Sequence, residues 1–107
     1  EKILKVEGSR ISRHLKGAKC IVVLDRKGVE LSSNELAHRM EQLMLRGGGQ
    51  AVFVIGGTLG LHSSIISRAD YNFSFSRLTF PHQLMRVILL EQLYRCFTII
   101  RGEKYHR

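Results

Sequence analysis

The sequence predicts an α/β domain in which a mostly parallel sheet is covered by helices on both faces. Two short apolar runs, Cys20–Leu24 and Ala51–Ile55, have no polar side to turn to water, as strands covered on both faces require. A helix-spaced segment lies between them, and a long helical segment without Gly or Pro closes the chain from Leu84 to Ile100. Strand, helix, strand in that order reads as a parallel sheet with crossover helices.

In residues 1–16, Ile3, Leu4, Ile11 and Leu15 fall near one helical face, with Lys2, Lys5, Arg10 and Arg13 mostly off it, which predicts an amphipathic helix. The β-branched run from Cys20 to Leu24 predicts a buried strand, and Asp25-Arg26-Lys27-Gly28 after it has turn composition. Ser32 and Glu35 have the spacing of a capping box, ahead of Leu36, Met40, Leu43 and Met44 at helical intervals, and Gly47-Gly48-Gly49 stops that helix. Ala51–Ile55 is the second apolar strand, broken by Gly56-Gly57-Thr58-Leu59-Gly60. Ile65 and Ile66 fit a short helix, and Tyr71–Phe75 alternates aromatic with polar as a third strand. Pro81 stands where the last helix begins. That helix is apolar over most of its circumference, so one face is expected against the sheet and another against a second copy of the chain, making a homodimer.

At 107 residues the chain has room for one core and one domain, 1–107, which must hold scaffold and site together. It opens on Glu1 directly into a helical pattern and is read as truncated at its N-terminus. Seventeen Lys and Arg against nine Asp and Glu give a net charge of +8, which attracts polyanions and makes nucleic acid the default partner, although solubility alone also accounts for such a charge. Cys20 and Cys96 match neither a redox pair nor a zinc site and are expected as buried, reduced thiols. Scattered histidines (His14, His38, His62, His82, His106) and dispersed carboxylates predict no metal. No apolar stretch is long enough to span a membrane and no signal peptide is visible, so the expected location is the cytoplasm.

In open α/β sheets ligands bind beyond the carboxyl ends of the strands, which selects the loops after Leu24, Ile55 and Phe75. Gly56-Gly57 would let a nucleotide-like molecule lie against the backbone; a plain tight turn explains the pair equally well. With Ile at position 55 and no Gly-Lys-Ser or Gly-Lys-Thr anywhere, dinucleotide and P-loop fingerprints are absent, which disfavours NAD and ATP. No Ser or Cys sits in an elbow beside a base, so covalent catalysis has no support. Among the histidines, His82 stands out because it lies at a helix start beside the Phe75–Phe80 loop.

Three segments in order, Val52–Leu61 with Ile55-Gly56-Gly57, Phe73–Val87 with Thr79-Phe80-Pro81-His82-Gln83, and Glu91-Gln92-Leu93-Tyr94-Arg95, together with the ending Tyr105-His106-Arg107, resemble the bacterial ribosomal RNA large subunit methyltransferase H family over essentially the whole chain. That resemblance implies the SPOUT class, an α/β fold whose C-terminal segment is tied as a trefoil knot, and a homodimer. It implies S-adenosylmethionine as cofactor and a pseudouridine of 23S ribosomal RNA, methylated at N3 in the assembled ribosome, as substrate. Matched by motif, the cofactor would touch Leu24, Gly56 and the loop Phe75, Ser76, Arg77, Leu78, Thr79 and Phe80. Family members begin with a further strand and helical segment that this sequence lacks. Methyl transfer from a sulfonium needs alignment and removal of the imide proton, so His106 and His82 are the candidate bases. Arg86, Arg101 or Arg107 would steady the developing anion or grip phosphate, and Tyr105 would stack on the target nucleoside. The competing function is a non-catalytic basic RNA-binding or ribosome-associated protein, which the charge supports and the cofactor loops do not.

Overall fold

The computed structural model describes residues 2–56 and 60–102. Its elements run α1 (Lys2–His14), β1 (Ile21–Glu30), α2 (Ser33–Arg46), β2 (Val52–Ile55), α3 (Ser63–Ile66), β3 (Tyr71–Ser74) and α4 (His82–Ile100). The three strands form one parallel sheet in the order β2-β1-β3, with Ile21 opposite Val52 and Val22 opposite Tyr71. Placing β1 in the middle explains why its first residues are the most completely buried of any strand.

Successive side chains of a strand point to opposite faces, and β1 divides accordingly. Val22 and Leu24 join Phe73 and meet Leu36, Ala37, Met40 and Leu43 of α2 with Leu89 and Cys96 of α4. Ile21 and Val23 join Val54 on the other face and meet Leu15, just past α1, and Ile65 of α3. Helices therefore cover both faces, as the doubly apolar runs require. The smaller face is tied further by Arg68, whose guanidinium donates to the carbonyls of Ser12 and Leu15 at 3.5 and 3.3 Å and satisfies the end of α1. Asp70 links the starts of two strands: its carboxylate accepts from the Ile21 N–H at 2.7 Å while its own N–H donates to the Ile21 carbonyl.

The capping box at α2 is present as the sequence indicates. Ser32 Oγ accepts from the Glu35 N–H at 3.2 Å, and the Glu35 carboxylate accepts from the Ser32 N–H at 2.8 Å. These bonds favour the charged form and hold the Glu35 carboxyl below its usual range. Gly47 caps the other end. Pro81 is the N-cap of α4, so the first helical residue is His82. Both cysteines are buried and free. Burial, assisted by the nearby Glu91 charge, pushes the Cys96 thiol up to about 11.

Two expectations are corrected. Asp25-Arg26-Lys27-Gly28 is not a turn: β1 runs on through it to Glu30, with an irregularity that lets both Leu24 and Val29 register with Phe73. Gly28 permits this, because a Cβ there would lie 2.6 to 2.7 Å from the backbone of Phe73, closer than any side chain tolerates. The second apolar run is not covered throughout. β2 is an edge strand, and Val52 is exposed although its sequence reads as buried.

Candidate functional site

The carboxyl ends of β2 and β3 meet the middle of β1 at one cleft. It is lined by Leu24, Asp25 and Arg26 of β1, Gly56 after β2, Ser74 of β3, Phe75, Ser76, Leu78, Thr79 and Phe80 of the following loop, and Met85 from the first turn of α4. Parallel pairing puts the ends of β2 and β3 on the same side of the sheet, where β1 runs on beyond the end of β2.

Gly56 extends the ladder by one bond, its N–H donating to the Leu24 carbonyl at 2.8 Å. A Cβ on Gly56 would stand 3.1 Å from the Asp25 carboxylate and 3.4 Å from both the Leu24 carbonyl and the Leu61 side chain. A side chain at position 56 would crowd Asp25, Leu24 and Leu61, so glycine suits the point where β2 ends against the cleft.

The loop after β3 is braced by its own hydroxyls. Buried Ser74 accepts from the Ser76 N–H at 3.1 Å and donates to the Ser76 carbonyl at 2.8 Å, and Ser76 Oγ in turn accepts from the Leu78 N–H at 3.0 Å. Phe75 is anchored edge-on against Phe73, ring centroids 5.3 Å apart. The result is a shaped wall with apolar side chains (Leu24, Phe75, Leu78, Phe80, Met85) on one part and exposed-end backbone, Ser76 and Thr79 on the other. The mixture has the chemistry that a base carrying a polar sugar requires, in a gap of about 30 Å³ that would have to widen to admit one.

Seven of the eight residues singled out for the cofactor line this cleft: Leu24, Gly56, Phe75, Ser76, Leu78, Thr79 and Phe80. Arg77 belongs to the same loop but is exposed and outside the lining. His82 and Arg86 are exposed on α4, four residues apart and so on one helix face, next to Met85, without lining the cleft themselves. Tyr105, His106 and Arg107 lie outside the described residues. Sequence reasoning missed Asp25, Arg26, Ser74 and Met85. Asp25 and Arg26 were hidden by their turn-like composition, and Met85 by the uniformly apolar pattern of α4. Among the described residues no group of three or more His, Cys, Asp or Glu could hold a metal ion, and no helix is long and apolar enough to cross a membrane.

The sequence profile of the family described as "Predicted SPOUT methyltransferase" matches residues 1–106. The chain belongs to the SPOUT methyltransferases, and is an enzyme of that family. Proteins named ribosomal RNA large subunit methyltransferase H are similar over all 107 residues: 57% identical in Moorella thermoacetica, 50% in Carboxydothermus hydrogenoformans and 48% in Acetivibrio thermocellus. In each case the chain spans 67% of the relative's own length.

Proposed function

We propose that this chain is the cofactor-binding, catalytic part of an S-adenosylmethionine-dependent methyltransferase that acts on N3 of a pseudouridine of 23S ribosomal RNA in the assembled ribosome. The observation that carries this reading is the cleft itself, where β1, Gly56 at the end of β2 and the loop after β3 meet around an apolar wall. Ribosomal RNA as substrate is supported by the names of relatives about half identical over the whole chain and by the net charge of +8.

S-adenosylmethionine, when bound, supplies an activated methyl group. The chain's own residues then have few tasks. Leu24, Phe75, Leu78 and Phe80 cover the base, and Gly56 with the serine-braced loop offers backbone to the sugar. Holding donor and acceptor in line provides most of the acceleration such a displacement needs. An imidazole, His106 or His82, would take the proton from the acceptor nitrogen, while Arg86 would steady the anion left behind and Tyr105 would stack on the target. The loop and α4 following β3 would form the trefoil knot of the family.

The same reading includes a homodimer working in the cytoplasm. On α4, Leu84, Val87, Leu90, Tyr94 and Phe97 follow one another at intervals of three or four residues and are all exposed. An apolar helical stripe of this length favours burial against another copy.

The net charge also favours a second reading, a non-catalytic RNA-binding or ribosome-associated protein. Calorimetric titration of S-adenosylmethionine separates the two. Saturable binding that Gly56→Trp abolishes, followed by methylation of ribosomes, is expected. A folded protein that binds RNA but not the cofactor would overturn the methyltransferase reading in favour of the second.

A further inference from the structure

We infer that Asp25 is a further ligand-contacting residue of this cleft, its carboxylate receiving the positively charged half of S-adenosylmethionine. The inference rests on the cofactor reading above and concerns a residue that neither the motif match nor the loop pattern selected.

Asp25 is the last buried residue of β1, 8% exposed, and it lines the cleft directly after Leu24. One of its carboxylate oxygens lies 3.1 and 3.7 Å from where Cβ atoms on Gly56 and Gly60 would stand. Among the described residues it has neither a hydrogen-bond donor nor an ion-pair partner. A carboxylate taken out of water is strongly unfavourable unless a donor or a cation compensates it. A carboxylate this little exposed that lines a cleft beside two glycines, without a donor of its own, is placed to take its counter-charge from a ligand.

The chemistry narrows the ligand group. A carboxylate accepts hydrogen bonds and attracts cations but offers nothing to a neutral thioether or to an adenine ring face. S-adenosylmethionine carries two cationic groups, the sulfonium and the methionyl ammonium, and either one presents the charge Asp25 lacks. Arg26, the other charged residue lining the cleft, has the wrong sign to hold either group.

The test compares three ligands by calorimetry on the wild-type protein and on the near-isosteric Asp25→Asn. S-adenosylmethionine has both cationic groups, S-adenosylhomocysteine keeps the ammonium alone, and 5′-deoxy-5′-methylthioadenosine has neither. Removing the charge is expected to weaken S-adenosylmethionine by about tenfold or more and methylthioadenosine by less than about threefold. A loss shared by S-adenosylhomocysteine assigns the contact to the ammonium; a loss confined to S-adenosylmethionine assigns it to the sulfonium. Equal losses for all three ligands, or no loss, would overturn the inference, because Asp25 would then only shape the strand. Retained methylthioadenosine binding shows that the variant is folded, and Asp25→Ser serves the same comparison if the Asn variant melts early. Wild-type protein that binds none of the three defeats the cofactor reading itself, whereas wild-type binding without charge discrimination in the variants defeats the role of Asp25 alone.

Discussion

The two halves of β1 belong to one strand and do different work. From Ile21 to Leu24 every residue is buried, alternating between the α2/α4 face and the α1/α3 face, and Val22 and Val23 are wholly inaccessible. After Asp25 burial falls away, the pairing with β3 becomes irregular, and Asp25 and Arg26 line the cleft. The first half is fixed by apolar burial on both sides, which admits little polar chemistry. Beyond the edge of that core, charge and glycine become affordable, and the site is built there. The lesson is that the sheet's interior sets where the strands end, and their ends set where the site lies.

That contrast can be broken most severely from the core. Phe73 sits opposite both Leu24 and Val29, 1% exposed, with rings of Tyr71 and Phe75 against it. Phe73→Ala is expected to cost about 3–5 kcal/mol, enough to unfold much of a small domain, as read from urea denaturation. A loss under about 1 kcal/mol would show that the two halves do not share this anchor.

Gly28→Val attacks the second half alone. Its Cβ would meet the Phe73 backbone, so the end of β1 must move off β3, at an expected cost of about 1–3 kcal/mol. Ligand affinity should fall with it, since Asp25 and Arg26 lie on the displaced segment; unchanged stability and affinity would mean that the irregular register does not hold the cleft wall.

A smaller effect sharpens the comparison through pH. Cys96 belongs to the core that the first half of β1 joins, and its thiol is raised from 9.0 to about 11 in the folded state. The folded value is the higher one, so the contribution is fully present below pH 9 and is lost as pH rises toward 11. Thermal melts of wild type and Cys96→Val should diverge in that window, the wild type losing more. Iodoacetamide should leave both cysteines unmodified at neutral pH until the protein unfolds. Parallel pH profiles, or rapid labelling of native protein, would contradict the burial on which this rests.

Ser32→Ala, at the capping box between β1 and α2, is expected to cost about 1 kcal/mol, measured by denaturation. Because the Glu35 carboxyl titrates below its usual range in the folded state, the part it contributes is present above that range and lost as pH falls through the lowered value. Ser32→Ala should therefore differ least from wild type in acid.

Much of this protein was determined by sequence alone. Helical periodicity and the pairing of Ser32 with Glu35 set α2, because those signals are local and the chain has no competing use for them. The doubly apolar runs set a sheet covered on both faces, and parallel topology then pointed to Leu24, Gly56 and the loop after β3, which meet at the cleft although β1 does not turn there. Tertiary structure decided what local pattern does not encode. Whether an apolar run is central or an edge depends on which strands flank it, which is why β2 exposes Val52 while β1 exposes nothing over Ile21–Leu24. Whether Asp25-Arg26-Lys27-Gly28 turns or continues depends on the backbone of Phe73, 45 residues further on, against which only a glycine at position 28 can lie. Composition favours a turn there, but the ladder to β3 overrides it, and that same continuation carries a buried carboxylate to the rim of the site.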